Sequence, residues 1–500
     1  MNEWWRELRL RAKERLEDYV LGGTRRSRWA LQHLDEEHVL HEGRRRALMA
    51  ARRAFRKVPA YRDFLARHGV TPIHLPFEKL PIMAKDNYVR AYRTEERCLN
   101  GAYLSAGVAI DESSGSTGTP FNWVRGAQER RRVRRELARM LEFMFGKQPR
   151  IAINAFSMGA WATGVTMGEA LELHSVVKST GPDLEKILHT LEFFGPAPSY
   201  FICGYPPFLK LLLDSMRGRG FPLNDYALHA LVGGEGMSEE FRRYLLRGFR
   251  SCYSGYGASD LEVGIAVETP EAVRIRGLLH DHHDLRGALL EGDHRVPMVF
   301  QYNPATHYIE TNEENELIVT LNYSRILSPR IRYNIGDEGR LFTRRELLKR
   351  LRQLGYPLET QRDRALPFPY VFLYGRRDQT ISLMGANIYP EDVERVLFAE
   401  PALAAGMASF AMSVEDAGNG DAHPRLCIEW SSERSPELPL QTLARRIEKE
   451  LAEVNSDFRT AMQEHPDALR FELLVFGFGQ GPFTGRGRRI KNRYFNGSST

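Results

Sequence analysis

Residues 113–120 read Ser-Ser-Gly-Ser-Thr-Gly-Thr-Pro, a run of hydroxyls and glycines with almost nothing else in it. Glycine lets backbone N–H groups converge at φ values that other residues avoid. Ser113, Ser114, Ser116 and Thr117 add hydroxyl donors around Gly115 and Gly118. Such a loop suits a polyphosphate oxyanion. It is not the kinase-type loop G-x-x-x-x-G-K-[ST], because Thr119 stands where that pattern wants lysine. Taken alone, the run reads more readily as a plain turn. Chemistry is suggested only by the polar segments that follow it. A second cluster, His280-Asp281-His282-His283-Asp284, has metal-ligand side chains. Consecutive residues on an extended chain point in opposite directions and no cysteine lies near, so it reads as an exposed polar turn.

The elements that must position these segments alternate between helix and strand. Residues 3–70 read as helical, with Trp4, Leu8, Leu16 and Val20 recurring on one face. Strands are expected at Arg150–Phe156, Tyr200–Gly204 and Leu228–Gly234, and helices at Val165–Leu173, Pro206–Met216 and Ser238–Gly248. This rhythm predicts a mostly parallel sheet flanked by helices, with ligands gathering beyond the carboxyl ends of its strands. From about residue 290 the pattern turns β-rich: Val296–Tyr302, Glu316–Leu321, Arg330–Tyr333 and Tyr370–Gly375 read as strands, with a helical excursion at 344–354. From about Asp378 the chain reads as a compact α+β unit. The expected organisation is an N-terminal helical segment (1–70), a large α/β domain (71–377) and a small α+β domain (378–500).

Bulk properties narrow the class. A chain of 500 residues exceeds one compact core. A mean hydropathy of −0.41 and the lack of a long apolar run argue against a membrane span. The N-terminus is charged throughout and reads as no secretory signal, and four widely spaced cysteines fit a reducing compartment, so a cytoplasmic location is expected. The formal charge is +6. Most of the excess lies in arginine-rich helical stretches (44–57, 130–139 and 344–352), which read as solvated faces. No nucleic-acid recognition motif accompanies them, so nucleic acid is not an expected partner.

Five separated segments line up in order. They are Ser113–Pro120, Gly233-Gly234-Glu235, Ser254-Gly255-Tyr256-Gly257-Ala258-Ser259-Asp260, Ile331–Asp337, and Tyr374-Gly375-Arg376-Arg377-Asp378 continuing to Gly385–Glu394. Together they make the chain resemble the adenylate-forming superfamily of acyl-CoA synthetases, adenylation domains and luciferases, and within it the phenylacetate–CoA ligase branch. The resemblance spans roughly residues 40–495. It implies ATP-dependent activation of an aryl or short acyl acid, pyrophosphate release and thioester formation with coenzyme A. Transfer to a carrier-protein thiol or an amine, and a non-catalytic nucleotide-binding homologue, are the alternatives. ATP, Mg²⁺ and coenzyme A are the implied cofactors, a small-molecule acid the implied partner, and a homodimer is compatible with it.

By the same resemblance, Ser113, Ser114, Gly115, Ser116, Thr117 and Gly118 would hold the leaving phosphates. Gly234, Glu235, Tyr256 and Gly257 would flank the nucleotide, with Tyr256 on the adenine. Ser259 would reach the α-phosphate, and Asp337 would accept both ribose hydroxyls, as a planar carboxylate can. The family usually has Glu after that serine to hold Mg²⁺; here it is Asp260, with Glu262 the other candidate. Arg376 would sit near ribose or phosphate, Asp378 at the hinge of a mobile small domain, and Lys491 at the catalytic lysine position. Phe156, Trp161 and Tyr205 are candidates for the acid pocket. Read from residue types alone, the same aromatics suit a core and the basic residues near Lys491 suit a solvated tail.

Overall fold

The computed structural model describes every residue except 1–2, 22, 72–74, 113–120, 147–149, 160–161, 294, 360–364, 377–380, 384–385, 417–421, 431–438, 465–468, 485–492 and 495–500. Its centre is an eleven-stranded sheet. Five strands run parallel in the order Val176–Ser179, Arg150–Asn154, Ser199–Gly204, Ala227–Gly233, Ser251–Tyr256. The sheet then turns antiparallel through Ala266–Val267, Met298–Tyr302, Tyr370–Arg376, Tyr333–Phe342, Glu316–Leu321 and His307–Thr311. The β-rich region foreseen after residue 290 is thus the antiparallel half of the sheet that the βα rhythm builds.

Sequence explains the two halves. Tyr200–Gly204 and Leu228–Val232 are near-continuous apolar runs, as strands covered on both faces require. The helices Ala162–Leu171, Leu184–Phe194, Pro206–Gly218 and Glu239–Leu245 connect the parallel strands. Burying one Leu or Phe contributes about 1.5–3 kcal/mol, and apolar strand residues such as Ile153, Ile202 and Val319 share one core with the helices on the sheet's faces.

Three readings are corrected. The strand expected at Arg330–Tyr333 begins only at Tyr333, because Arg332 adopts φ 48° and Arg330 turns inward to the Ser328 carbonyl. Residues 280–284 are exposed at Asp281, His283 and Asp284, as expected, but they are not a simple turn. They join the helices Pro270–Asp281 and His283–Leu289, with His280 bonded to Asp281 (2.8 Å) and Glu240 (2.6 Å). The arginine-rich stretches are not simply solvated faces, since Arg46, Arg53 and Arg132 are buried.

A second, four-stranded sheet lies towards the C-terminus, in the order Glu472–Gly477, Ala422–Trp430, Met407–Asp416, Arg493–Tyr494. The helices Pro390–Ala399, Leu440–Val454 and Ser456–Glu464 accompany it. The first of them meets the main body. Phe398 stacks on Phe241 with ring centroids 4.0 Å apart, Arg395 pairs with Glu240 at 2.9 Å, and Glu394 accepts the Ser238 N–H at 2.5 Å. Helix Glu239–Leu245 therefore carries the junction between the two sheets.

Candidate active site

A cavity of about 1380 Å³ opens where the parallel strands end, bounded by the 254–264 segment, the strand ends near Asp337 and Arg376, and helix Pro390–Ala399. Tyr256 closes the last parallel strand and is buried. Its hydroxyl donates to Asp337 Oδ2 at 2.5 Å. Burial first, then the Asp337 carboxylate and that bond, push the phenol far above its usual range, so it stays a neutral donor. Asp337 lies opposite Arg376 in the pairing of their strands, and Arg376 is exposed. One carboxylate, one cation and one aromatic from three strands thus meet at the cavity.

The backbone here leaves no room for larger residues. A Cβ on Gly257 would lie 2.9 Å from the Glu262 carbonyl oxygen. Gly375 has φ 107°, and a Cβ there would collide with Glu391 Oε1. Both glycines are required by conformation or close approach.

The 257–262 segment is pinned from outside. Arg125, from the hairpin of Ala109–Glu112 and Asn122–Arg125, donates to the carbonyls of Ser259 (2.5 Å) and Leu261. Arg330 donates to the Asp260 carbonyl at 3.1 Å, and burial pulls its guanidinium down to about 10. Asp260 Oδ2 accepts the Tyr333 hydroxyl at 2.6 Å, and Ser259 Oγ lies 3.5 Å from Asp260 Oδ1. Glu262 is different. It is buried, and its two oxygens take Tyr323 and His307, the latter at 2.9 Å. Both Glu262 oxygens thus already accept a hydrogen bond, whereas Asp260 has one oxygen bonded to Tyr333. Among the described residues no three His, Cys, Asp or Glu side chains are grouped to hold a metal ion. A phosphate-bound Mg²⁺ needs only one or two carboxylates from protein, and half-buried Asp260 is one carboxylate at the cavity.

On the opposite wall, Gly234 follows the Ala227–Gly233 strand with φ 82°, and Glu235 is half-buried beside it. Glu391 and Glu394 lie on helix Pro390–Ala399, and burial pushes both carboxyls up to about 8. Asp392 is raised to about 6, again by burial, while it accepts from Asn455 at 2.8 Å. Arg295, held by Asp293 and Glu338, lies over the rings of Tyr374 (4.2 Å) and Tyr389 (4.6 Å). Phe156 and Tyr205 are buried, meet edge to face at 5.3 Å and line the cavity.

No protein-family profile matches the chain. A curated relative, the phenylacetate–coenzyme A ligase of Thermus thermophilus, is 25% identical over 372 residues, covering 73% of this chain and 75% of the relative. Among solved structures, 2-hydroxyisobutyryl-CoA ligase in the postadenylation state with 2-HIB-AMP aligns with a TM-score of 0.65 at 14% identity, covering 87% of this chain and 85% of that one. The same ligase with 2-HIB-AMP and coenzyme A in the thioesterification state gives a TM-score of 0.52 at 15% identity over 92% and 90%. The fold is that of 2-hydroxyisobutyryl-CoA ligase. The resemblance read from the five segments is borne out.

Within that fold the described site residues converge: Tyr256, Gly257, Ser259, Asp260, Asp337, Arg376, Gly234, Glu235, Phe156 and Tyr205 all line one cavity. The loop Ser113–Gly118, Trp161, Asp378 and Lys491 lie outside the described residues. Sequence reading missed Arg125, Arg330 and Tyr333, which hold the 259–261 backbone and Asp260. Arg125 has no local motif, whereas Arg330 sits beside, and Tyr333 within, the 331–337 segment already singled out.

Proposed function

We propose that the chain activates a small carboxylic acid with ATP and transfers the acyl group to coenzyme A. In the first step a carboxylate oxygen of the acid bonds to the α-phosphorus, and the bond from that phosphorus to pyrophosphate breaks. In the second, the thiol sulfur of coenzyme A bonds to the acyl carbon, AMP leaves and the thiol proton passes to solvent. The observation that carries this reading is the meeting of Tyr256, Asp337 and Arg376 at the parallel strand ends.

The chain's own groups divide the work. Asp337, oriented by the Tyr256 hydroxyl, takes the ribose hydroxyls; a carboxylate has about four lone-pair sites, so one bond to Tyr256 leaves capacity. Arg376 faces the negative charge that grows on the phosphates, and Ser259 reaches the α-phosphate from a backbone that Arg125 clamps. Asp260 would ligate Mg²⁺, which supplies charge neutralisation at the phosphates when bound. Ser113–Gly118 would cradle the pyrophosphate and Lys491 would bring a cation to the α-phosphate. Phe156, Tyr205 and Trp161 would bound the acid. In this reading residues 71–377 form the adenylating part, 378–500 a small part that moves about Asp378, and 1–70 an N-terminal helical segment.

The test is pyrophosphate release over a panel of aryl and short acyl acids, with and without coenzyme A. Acid-dependent release with coenzyme A-dependent thioester is expected. No release with any acid overturns the catalytic reading. Release whose product ignores coenzyme A moves the acceptor to a carrier-protein thiol or an amine.

A further inference from the structure

The first two helices are amphipathic in an inverted sense. On Glu3–Leu21 the side turned to the body carries Lys13, Glu14 and Glu17. Lys13 pairs with Glu42 (3.0 Å), Glu14 accepts the Ser324 N–H (2.6 Å) and Glu17 takes Arg46. The opposite side carries Trp5, Leu8, Leu16 and Tyr19, which fall within about 80° of arc at 3.6 residues per turn. Arg26 of helix Thr24–His33 lies 4.0 Å over the Tyr19 ring, and Trp29 follows it one turn along. These five large side chains leave between 44% and 64% of their surface in solvent. A lone exposed Leu is ordinary; a stripe of Trp, Leu and Tyr beside buried charge is not.

The stripe is bordered by the exposed arginines Arg9, Arg11, Arg15, Arg25 and Arg26, while Asp18 lies 3.9 Å from Arg135. Two such faces brought together would oppose arginine to arginine, which disfavours a second copy as the cover. Aromatic rings rimmed by arginine suit the headgroup layer of an anionic membrane, where rings sit at the apolar boundary and guanidinium groups reach phosphate. We propose that this face docks on an anionic phospholipid bilayer, lying in the headgroup layer. Among the described residues no helix is long and apolar enough to cross a membrane. Leu16 and Leu34 are exposed and also line the large cavity, so a docked chain presents one end of that cavity to lipid.

The test is co-flotation of the full chain with phosphatidylcholine vesicles, with and without phosphatidylserine. Binding is expected to the anionic vesicles alone and to fall as salt rises. Trp5→Ser with Trp29→Ser, and separately Arg9→Glu with Arg15→Glu, should each cut the partition coefficient roughly tenfold. Circular dichroism and the thermal midpoint should stay unchanged, because none of these side chains is buried. Absent binding, or equal binding to neutral vesicles, overturns the proposal. So does a dimer seen by light scattering that the tryptophan variants dissolve, because the stripe would then belong to a second copy.

Discussion

The Tyr256–Asp337 bond fixes which way the carboxylate faces before any nucleotide arrives. Tyr256→Phe keeps the ring and removes the donor. A hydrogen bond to a charged group is worth about 1.5–3 kcal/mol, so the KM for ATP should rise roughly tenfold with kcat little changed. Asp337→Ala removes the acceptor itself and should cost more, roughly a hundredfold in kcat/KM for ATP. Steady-state kinetics at saturating acid would measure both. An unaltered ATP dependence in Asp337→Ala would remove the ribose role. At this scale the sequence was legible where a motif marks residues that the fold brings to one cavity, as at Tyr256, Ser259 and Asp337. It was opaque where a residue acts on backbone far away: Arg125 clamps carbonyls at 259 and 261, and nothing in its own surroundings announces that. Sequence was silent, too, on the His307 and Tyr323 bonds that hold the two Glu262 oxygens.

Among elements, the contact between helices Glu239–Leu245 and Pro390–Ala399 has a built-in pH dependence. Burial raises Glu391 and Glu394 to about 8 and Asp392 to about 6. Glu235, Arg276, Arg295 and Asp293 face these groups, and Arg395 shares their helix. A carboxyl raised on docking favours the docked form fully below its ordinary pKa, near 4.5, and that advantage is lost as pH climbs through about 8. Hydrogen exchange over 390–399 should therefore quicken several-fold from pH 6 to pH 9, after correction for intrinsic rates. The paired variant Glu391→Gln with Glu394→Gln should flatten this difference; a slope that survives would place the titration elsewhere. Elements of strong apolar character were read closely, as at Glu316–Leu321 and Tyr200–Gly204. Val176–Ser179 and His307–Thr311 escaped because four or five mixed residues carry too short a period, and only their sheet neighbours make them strands.

Across the whole molecule, the first helix, Glu3–Leu21, is tied to the main body by a network of buried charge. Arg46 is fully buried, and its guanidinium is shared between Glu42 (2.8 Å), Glu17 (3.0 Å) and the Ala305 carbonyl (3.3 Å). Arg132, on helix Ala127–Phe145, reaches the same Glu17 at 3.2 Å and Glu136 at 2.7 Å. Glu17 therefore ties the first helix to two helices distant in sequence, and its partners hold its carboxyl below the ordinary range despite burial. Charge counting could not reveal this, since it treats an arginine-rich helix as a solvated face until the paired acids are known. The arrangement has a mechanical consequence. Removing one partner of a buried pair leaves the other uncompensated, which costs about 3–5 kcal/mol when both are fully buried and less here because Glu17 keeps some solvent contact. Glu17→Gln should lower the thermal midpoint measurably. Glu17→Leu should lower it further, since Gln retains an acceptor for Arg46. Acid activation at low temperature should persist in both, because neither change touches Tyr256, Asp337 or Arg376. A thermal midpoint indifferent to both substitutions would mean that apolar contacts such as Leu10, and not the Arg46 network, keep the first helix in place.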